Sequence, residues 1–230
     1  QATNELKKNK LDPEESLLSY LEKNRYSKVF VEKYLVAMGS AIWSADWTNV
    51  LEFPAKFFIT FFHNHGLLAL RNRPQWYVIE GGSREYLAPL ISRFKNNIRT
   101  DCRVVSIERS NPEKISVRLE NGETCFFEQV ILATHSDQAL NLLKDPTELE
   151  QQILGAIPYQ SNDVVLHTDT SLLPDNSKTW SSWNYRLKSK KDRATVTYNM
   201  NILQGISAPE TFCVTLNDSK SIDPGKVLGN

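Results

Sequence analysis

The segment Ile115-Ser116-Val117-Arg118-Leu119-Glu120-Asn121-Gly122-Glu123-Thr124-Cys125-Phe126-Phe127-Glu128-Gln129-Val130-Ile131-Leu132-Ala133 decides how this chain folds. Residues 115–120 read as a strand. Asn121-Gly122 tolerates positive φ at both positions and predicts a two-residue hairpin turn. The returning strand is expected over 124–133. It ends in the unbroken apolar run Val130-Ile131-Leu132-Ala133, the pattern of a strand buried on both faces. Upstream, 104–109, 98–100 and 76–79 read as further strands. Gly81-Gly82 turns the last of these into a helix capped by Ser83. That helix carries Tyr86, Leu87, Leu90, Ile91 and Phe94 as its apolar set, and Pro89 should kink it.

Further out the period changes. Asp12-Pro13-Glu14-Glu15 reads as a helix start, with Asp12 as cap and Pro13 in the first turn. Leu17, Leu18 and Leu21 follow on one face. Ser27 is expected to cap a second helix that carries Val29, Phe30, Tyr34, Leu35 and Met38 and stops at Gly39. A third helix should run from Pro54 to just before Gly66. It puts Phe57, Phe58, Phe61 and Phe62 on nearly one face, a density that suits a deep core or a cavity wall. On the carboxyl-terminal side, 137–143 and 147–154 read as short helices ended by Pro158. Strand-like runs at 164–170, 180–185, 195–201 and 212–216 come next, separated by polar turns, so a mostly antiparallel sheet is expected. The fold class is α+β: a helical segment, a group of strands with a β-hairpin, and the antiparallel sheet. Three parts are expected, 1–75, 76–145 and 146–230.

The 230 residues carry 27 Lys plus Arg against 27 Asp plus Glu. Zero formal net charge gives no electrostatic footprint for nucleic acid or an acidic membrane surface. The apolar block 57–62 falls far short of the ~20 residues of a membrane span. Cys102, Cys125 and Cys213 are odd in number, and their spacings of 23 and 88 match no disulfide or metal framework. No metal is expected. Reduced thiols and the lack of an export leader point to the cytoplasm.

Four short motifs bear on chemistry. In His63-Asn64-His65 the two histidines point to different helix faces, so they read as helix-end residues and not as a chelating pair. Gly81-Gly82-Ser83 either makes a tight turn or presents backbone N–H groups to an anion or ring system. Thr134-His135-Ser136 comes directly after the apolar run, at the end of a strand where α/β sheets gather ligands. Equally, Thr134 or Ser136 merely caps the next helix. No carboxylate or nucleophile stands near His135 in the sequence, so a packing or orienting role is expected of it, not base catalysis. In Trp180-Ser181-Ser182-Trp183-Asn184-Tyr185, Trp183 and Tyr185 share one strand face and Ser182 and Asn184 the other. Packing across a sheet and lining an aromatic cavity are both open to this cluster.

Three segments in order look like one family: Trp76-Tyr77-Val78-Ile79-Glu80-Gly81-Gly82-Ser83-Arg84-Glu85-Tyr86-Leu87, then 104–107 with Asn121-Gly122, then Val130-Ile131-Leu132-Ala133-Thr134-His135. The order resembles the flavin-containing amine oxidase superfamily, and more narrowly its bacterial-type NAD/FAD-binding amine oxidases. The runs Ala133-Thr134-His135-Ser136-Asp137-Gln138-Ala139-Leu140 and Leu166-His167-Thr168-Asp169, and the Trp180–Tyr185 cluster, resemble that subgroup. The likeness extends from about Leu17 to the end.

The resemblance implies an FAD adenine beside Val104 and Val105, held by main-chain contacts, and a cofactor approached by the turn at Thr134. His135 stands where the family has glycine. Gly81 and Gly82 would lie near the junction of the cofactor and substrate domains, and complete the implied cofactor positions. The substrate side would include Phe58, Phe61, Trp180, Trp183 and Tyr185. No catalytic residue is assigned. In family terms, 76–145 is part of an FAD-binding domain, flanked by substrate-domain pieces 1–75 and 146–230. The family's opening G-x-G-x-x-G, which holds the pyrophosphate, does not occur here. The glycines are at 39, 66, 81, 82, 122, 155, 205, 225 and 229. The family's carboxyl-terminal flavin-contacting segment is not found either. The expectation is the central fragment of an FAD-dependent, amine-oxidase-like oxidoreductase acting on a small apolar molecule. FAD belongs to the intact protein and is held weakly or not at all by this fragment. The alternative is a non-enzymatic module that buries a small ligand or a partner.

Overall fold

The computed structural model describes residues 1–69, 71, 74–111, 113–186 and 195–229. The chain forms two compact units, Gln1–Tyr86 with Asn162–Asn230, and Leu87–Ser161. The sequence reading draws its borders after residues 75 and 145.

The first unit opens with helices α1 (Ala2–Lys7), α2 (Leu17–Lys23) and α3 (Lys28–Phe30). A π-helical segment, Val31–Val36, leads into α4 (Ala37–Trp43), followed by α5 (Trp47–Glu52) and α6 (Ala55–Asn64). Helix α6 buries Ala55, Phe58, Ile59 and Phe62, the i, i+3, i+4, i+7 stripe of an amphipathic helix. Phe58 and Phe62 stack at 4.2 Å, and Trp43 packs over them. Leu17, Val36 and Val50 close the same core.

Two helix boundaries depart from expectation. Asp12 accepts the Glu14 N–H in a turn, and Ser16 is the cap of α2, its hydroxyl accepting from Ser19 N. The cause is a backbone bridge: Leu17 N donates to Phe53 O and Ala55 N to Glu15 O, each at 2.8 Å. This pairing holds 15–17 extended, so the helix starts after it. The second helix does not stop at Gly39. It runs on to Trp43, and Ser44 ends it in the left-handed region. Its buried stripe also differs, since Val29 and Phe30 are exposed while Leu35, Val36, Ser40 and Ala41 are buried. The π-segment bonds i→i+5, which carries the buried face forward along the sequence.

Gly39 serves close packing. A Cβ there would sit 2.8 Å from Val50 Cγ1 and 3.1 Å from Phe58 Cε2. Glycine to alanine inside a helix ordinarily stabilises by ~0.5–1 kcal/mol. Here neither neighbour has room to retreat, and overpacking costs ~1–3 kcal/mol. Gly39→Ala is therefore expected to lower the unfolding free energy in urea titration. A stabilised variant would show that helix propensity wins at this position.

The second unit contains α7 (Leu87–Ile91), with Pro89 inside it, and a three-stranded antiparallel sheet. Its strands are β1 (Val104–Asn111), β2 (Lys114–Leu119) and β3 (Thr124–Phe127). Helices α8 (Ser136–Leu142) and α9 (Glu148–Gly155) come after them. Thr147 and Glu150 form a reciprocal capping box at the start of α9. Ile107, Val117 and Leu119 make the unit's small core.

The hairpin forms, but with a different turn. Leu119 O accepts from Gly122 N while Leu119 N donates to Glu123 O, which closes a three-residue loop. Gly122 alone has positive φ, at 89°, as expected of a type I turn followed by a bulge glycine. The return strand ends at Phe127, opposite Ile115. Residues 130–133 are not a strand, and Ile131 is 93% exposed. An apolar run becomes a buried central strand only with partners on both edges, and among the described residues none flanks this one. Residues 76–79 and 98–100 are likewise irregular. Gly81 and Gly82 do turn the chain, with φ of 78° and 92°. They lead into a 3-10 turn, Ser83–Tyr86, and the short α7, not into one capped amphipathic helix.

Returning to the first unit, β4 (Val164–His167), β5 (Trp183–Arg186), β6 (Thr195–Asn199), helix α10 (Met200–Gln204), β7 (Cys213–Leu216) and β8 (Val227–Gly229) complete it. The strands form an antiparallel sheet in the order β5-β6-β7-β4-β8, separate from the hairpin sheet. Register puts Trp183, Tyr185, Val196, Tyr198, Val214, Leu216, Val164 and Leu166 on one face. The other face is mostly polar, and it is the more deeply buried: Asn184, Thr195, Thr197, Asn199, Thr215 and His167 are all under 9% exposed. Each side chain of that layer must therefore find its hydrogen bonds inside the protein.

Candidate functional site

A glycine-ended helix sets up the main cavity. His65 is the C-cap of α6, and Gly66 comes next with φ +67°. Gly66 N donates to His63 O and Leu67 N to Phe62 O, at 3.0 and 2.8 Å. This is a Schellman motif, which needs a residue without a Cβ penalty at the left-handed position. Pro74 packs on Gly66 so closely that a Cβ there would lie 2.4 Å from its Cδ. The turn thus projects His65 and Leu67 to one side, and the proline leads Gln75, Trp76, Tyr77 and Val78 past them.

These residues border a cavity of about 730 Å³ in the first unit, within the usual size range of a small-molecule site. Met38 and Ile42 of α4 and Phe61 of α6 supply further wall. Ser182 and Trp183 close it from β5, and Ile202 and Leu203 from α10. The lining is largely apolar and aromatic. The His65 ring lies flat on Phe61 at 4.0 Å and faces Trp76 at 6.1 Å with planes 12° apart. Its Nδ1 is 2.9 Å from Phe61 O. Trp183 meets Tyr198 edge-on at 5.5 Å.

Of the five expected substrate-side residues, Phe61 and Trp183 border this cavity. Phe58 is 2% exposed in the helical core. Trp180 is anchored elsewhere by its indole N–H to Pro174 O at 2.8 Å. Tyr185 is half-buried, and burial raises its phenol above the ordinary tyrosine range. His65 and Trp76 carry no such expectation in the sequence, since their roles depend on the Gly66–Pro74 contact.

In the second unit, Val104 and Val105 lie on β1, at the edge of the hairpin sheet. The register slips between Val104 and Ser106, so Val105 has no partner residue on β2. A bulge of this kind leaves main-chain groups unpaired by the ladder. Thr134 lines a separate hollow of about 420 Å³ with Ile107, Leu132 and Tyr159. His135 stacks flat on Tyr159 at 4.3 Å, and Ser136 N donates to Tyr159 Oη. Arg109 also borders the hollow, but its guanidinium is already bonded to Asp145 and, through two nitrogens, to Glu150. That pairing holds the Glu150 carboxyl down at about 2. Gly81 and Gly82 belong to the first unit.

Among the described residues, no three His, Cys, Asp or Glu side chains gather as a metal site, and no helix is long and apolar enough to cross a membrane. The three cysteines are free thiols. Comparison with curated proteins finds no similar sequence. The model of one family, described as flavin containing amine oxidoreductase, matches residues 1–207. With nine-tenths of its length matched, the chain belongs to the flavin containing amine oxidoreductase family.

Proposed function

We propose that the chain serves an FAD-dependent oxidation and that the aromatic cavity receives a small, largely apolar substrate. Family membership brings flavin-dependent oxidoreductase chemistry. The observation that carries the substrate assignment is the cavity wall built from Phe61, His65, Trp76 and Trp183. An aromatic wall of this kind contributes large apolar contact area and fixed geometry.

The cofactor's adenine end fits this chain better than its diphosphate. The bulged edge of β1 at Val105 offers main-chain groups of the kind an adenine ring pairs with. Two of the first three amides of α8 are already taken: Ser136 N is bonded to Tyr159 and Gln138 N to Asp137, whose carboxylate also repels an anion there. Arg109 is committed to two carboxylates. A bound flavin supplies the electron acceptor, and this chain's residues supply apolar contact and exclusion of water. A binding module without redox chemistry is favoured only by the lack of a diphosphate cradle among the described residues.

Anaerobic reduction of the flavin absorbance band tests the reading, with the protein at saturating FAD and a panel of arylalkyl amines and alcohols as reductants. Trp183→Ala should slow reduction by about tenfold through weaker substrate binding, since Trp183 is 44% exposed at the cavity wall and its indole offers apolar contact area to a bound ligand. Trp180→Ala should stay within about twofold. Bound FAD that no panel member reduces would favour the binding module.

A further inference from the structure

We propose that His65 is the specificity-determining residue of the cavity, and that it selects ligands carrying an N–H or O–H donor. The assignment rests on reading the cavity as the substrate site. Phe61 O is a backbone carbonyl and can only accept, so the 2.9 Å contact requires the proton to be on His65 Nδ1. In the neutral ring, Nε2 then carries the lone pair. The ring is held in place by its stack on Phe61 at 4.0 Å and by the Nδ1 bond, with Trp76 near-parallel at 6.1 Å. The Nδ1 edge is taken up by the Phe61 carbonyl of α6, which leaves Nε2 as the ring nitrogen that His65, a residue of the cavity wall, can offer to a ligand. The wall's other polar side chains are Ser182, Tyr77 and Gln75, whose amide donates to Trp76 O. An acceptor held in a mainly apolar wall discriminates strongly. A ligand without a matching donor strips water from Nε2 and returns nothing. Small aromatic molecules with a donor at the ring edge, such as indoles and phenols, satisfy both the wall and His65.

The probes are indole and 1-methylindole, which differ by the single N–H. Calorimetric titration of the purified protein should show indole bound about tenfold more tightly, the worth of one hydrogen bond. His65→Phe keeps an aromatic ring in the stack but removes the acceptor. It should bring the two affinities within about twofold of each other, in part by tightening that of 1-methylindole, which no longer strips water from Nε2. Long-range nitrogen–proton NMR of the wild-type imidazoles supplies a second readout that needs no variant. It should show His65 protonated at Nδ1, with the Nε2 resonance shifting on addition of indole and not of 1-methylindole. Equal binding of the two probes to the wild type, a retained preference in His65→Phe, or an Nε2-protonated ring would each overturn the assignment while leaving the cavity a ligand site. Binding of neither probe would overturn the cavity reading and the role of His65 with it.

Discussion

Gly66→Ala is expected to lower the unfolding free energy by roughly 2–5 kcal/mol and to weaken ligand binding in the aromatic cavity. Two costs add at this position. A non-glycine residue in the left-handed region costs ~1–2 kcal/mol, and Gly66 has φ +67°. Its new Cβ would then lie 2.4 Å from Pro74 Cδ and 3.1 Å from Cγ. A proline ring cannot rotate aside, because its φ is fixed by the ring, so the segment leading to Trp76 must shift. Overpacking of this type adds ~1–3 kcal/mol. Gly205 gives the control. It too stands after a helix in the left-handed region, with φ +65°, but nothing lies within 4 Å of its would-be Cβ. Gly205→Ala should show the backbone cost alone. Both glycines and all five tryptophans lie in the first unit, so fluorescence-monitored urea unfolding reads both variants alike. If Gly66→Ala proves no worse than Gly205→Ala, the Pro74 contact does not hold the cavity wall in place.

That contact also shows where sequence reading stops. Helix α6 is legible because Pro54, the phenylalanine stripe and Gly66 are local signals that agree. Thr147 with Glu150 marks α9 in the same way. The use made of the helix end is not legible. His65 borders a cavity because a proline eight residues beyond Gly66 packs on that glycine, and no local spacing encodes such an approach. Gly39 has the same character. It reads as a stop signal, but Val50 and Phe58 need the space, and both come from other helices.

The apolar run at 130–133 misleads for the converse reason. Val, Ile and Leu report a preference for a covered environment, not the presence of a neighbour. Val130 and Leu132 do pack against the hairpin core, while Ile131 points to solvent. The run is thus half-covered by side-chain contact without joining a ladder. Trp183 and Tyr185 do share one face of a strand, but the opposite face is the harder reading. Alternation says which residues share a side; it does not say which side is buried. In this sheet the threonine and asparagine side is the more deeply buried, and its polar groups find partners inside: His167, Thr215 and Thr197 bond one another, while Asn184 and Asn199 bond backbone groups.

The centre of that polar layer should also be highly sensitive to substitution. Asp169 N donates to His167 Nδ1 at 3.1 Å, so the neutral ring carries its proton on Nε2 and donates it to Thr215 Oγ1 at 2.8 Å. Thr215 and Thr197 share the next bond, also at 2.8 Å. His167 and Thr215 are fully buried, and Thr197 is 1% exposed. Thr215→Val keeps the shape and removes the relay, leaving the His167 N–H and the Thr197 hydroxyl short of a partner. Each unsatisfied buried group costs ~1–3 kcal/mol, so a loss of about 2–6 kcal/mol is expected. Thr197→Val added to it should cost less than the two single losses together, since they break one shared bond. The same burial gives a pH signature. It pushes His167 below the ordinary imidazole value, with the Asp169 charge opposing. A histidine harder to protonate when folded stabilises fully above the unfolded pKa of ~6.5, and that stability is lost as pH falls through the folded value. Asp169 does not confuse the reading. Burial raises its carboxyl, but the Asp223 and Ser171 amides and Lys226 outweigh this and hold it at about 2, so it stays ionised from pH 5 to 8. Urea midpoints measured over that range should fall below about pH 6.5 in the wild type and fall less in His167→Gln, which keeps the other three histidines. Parallel pH profiles would mean that His167 is protonated as readily in the folded protein as in the unfolded chain, and that the layer does not depend on its neutral form.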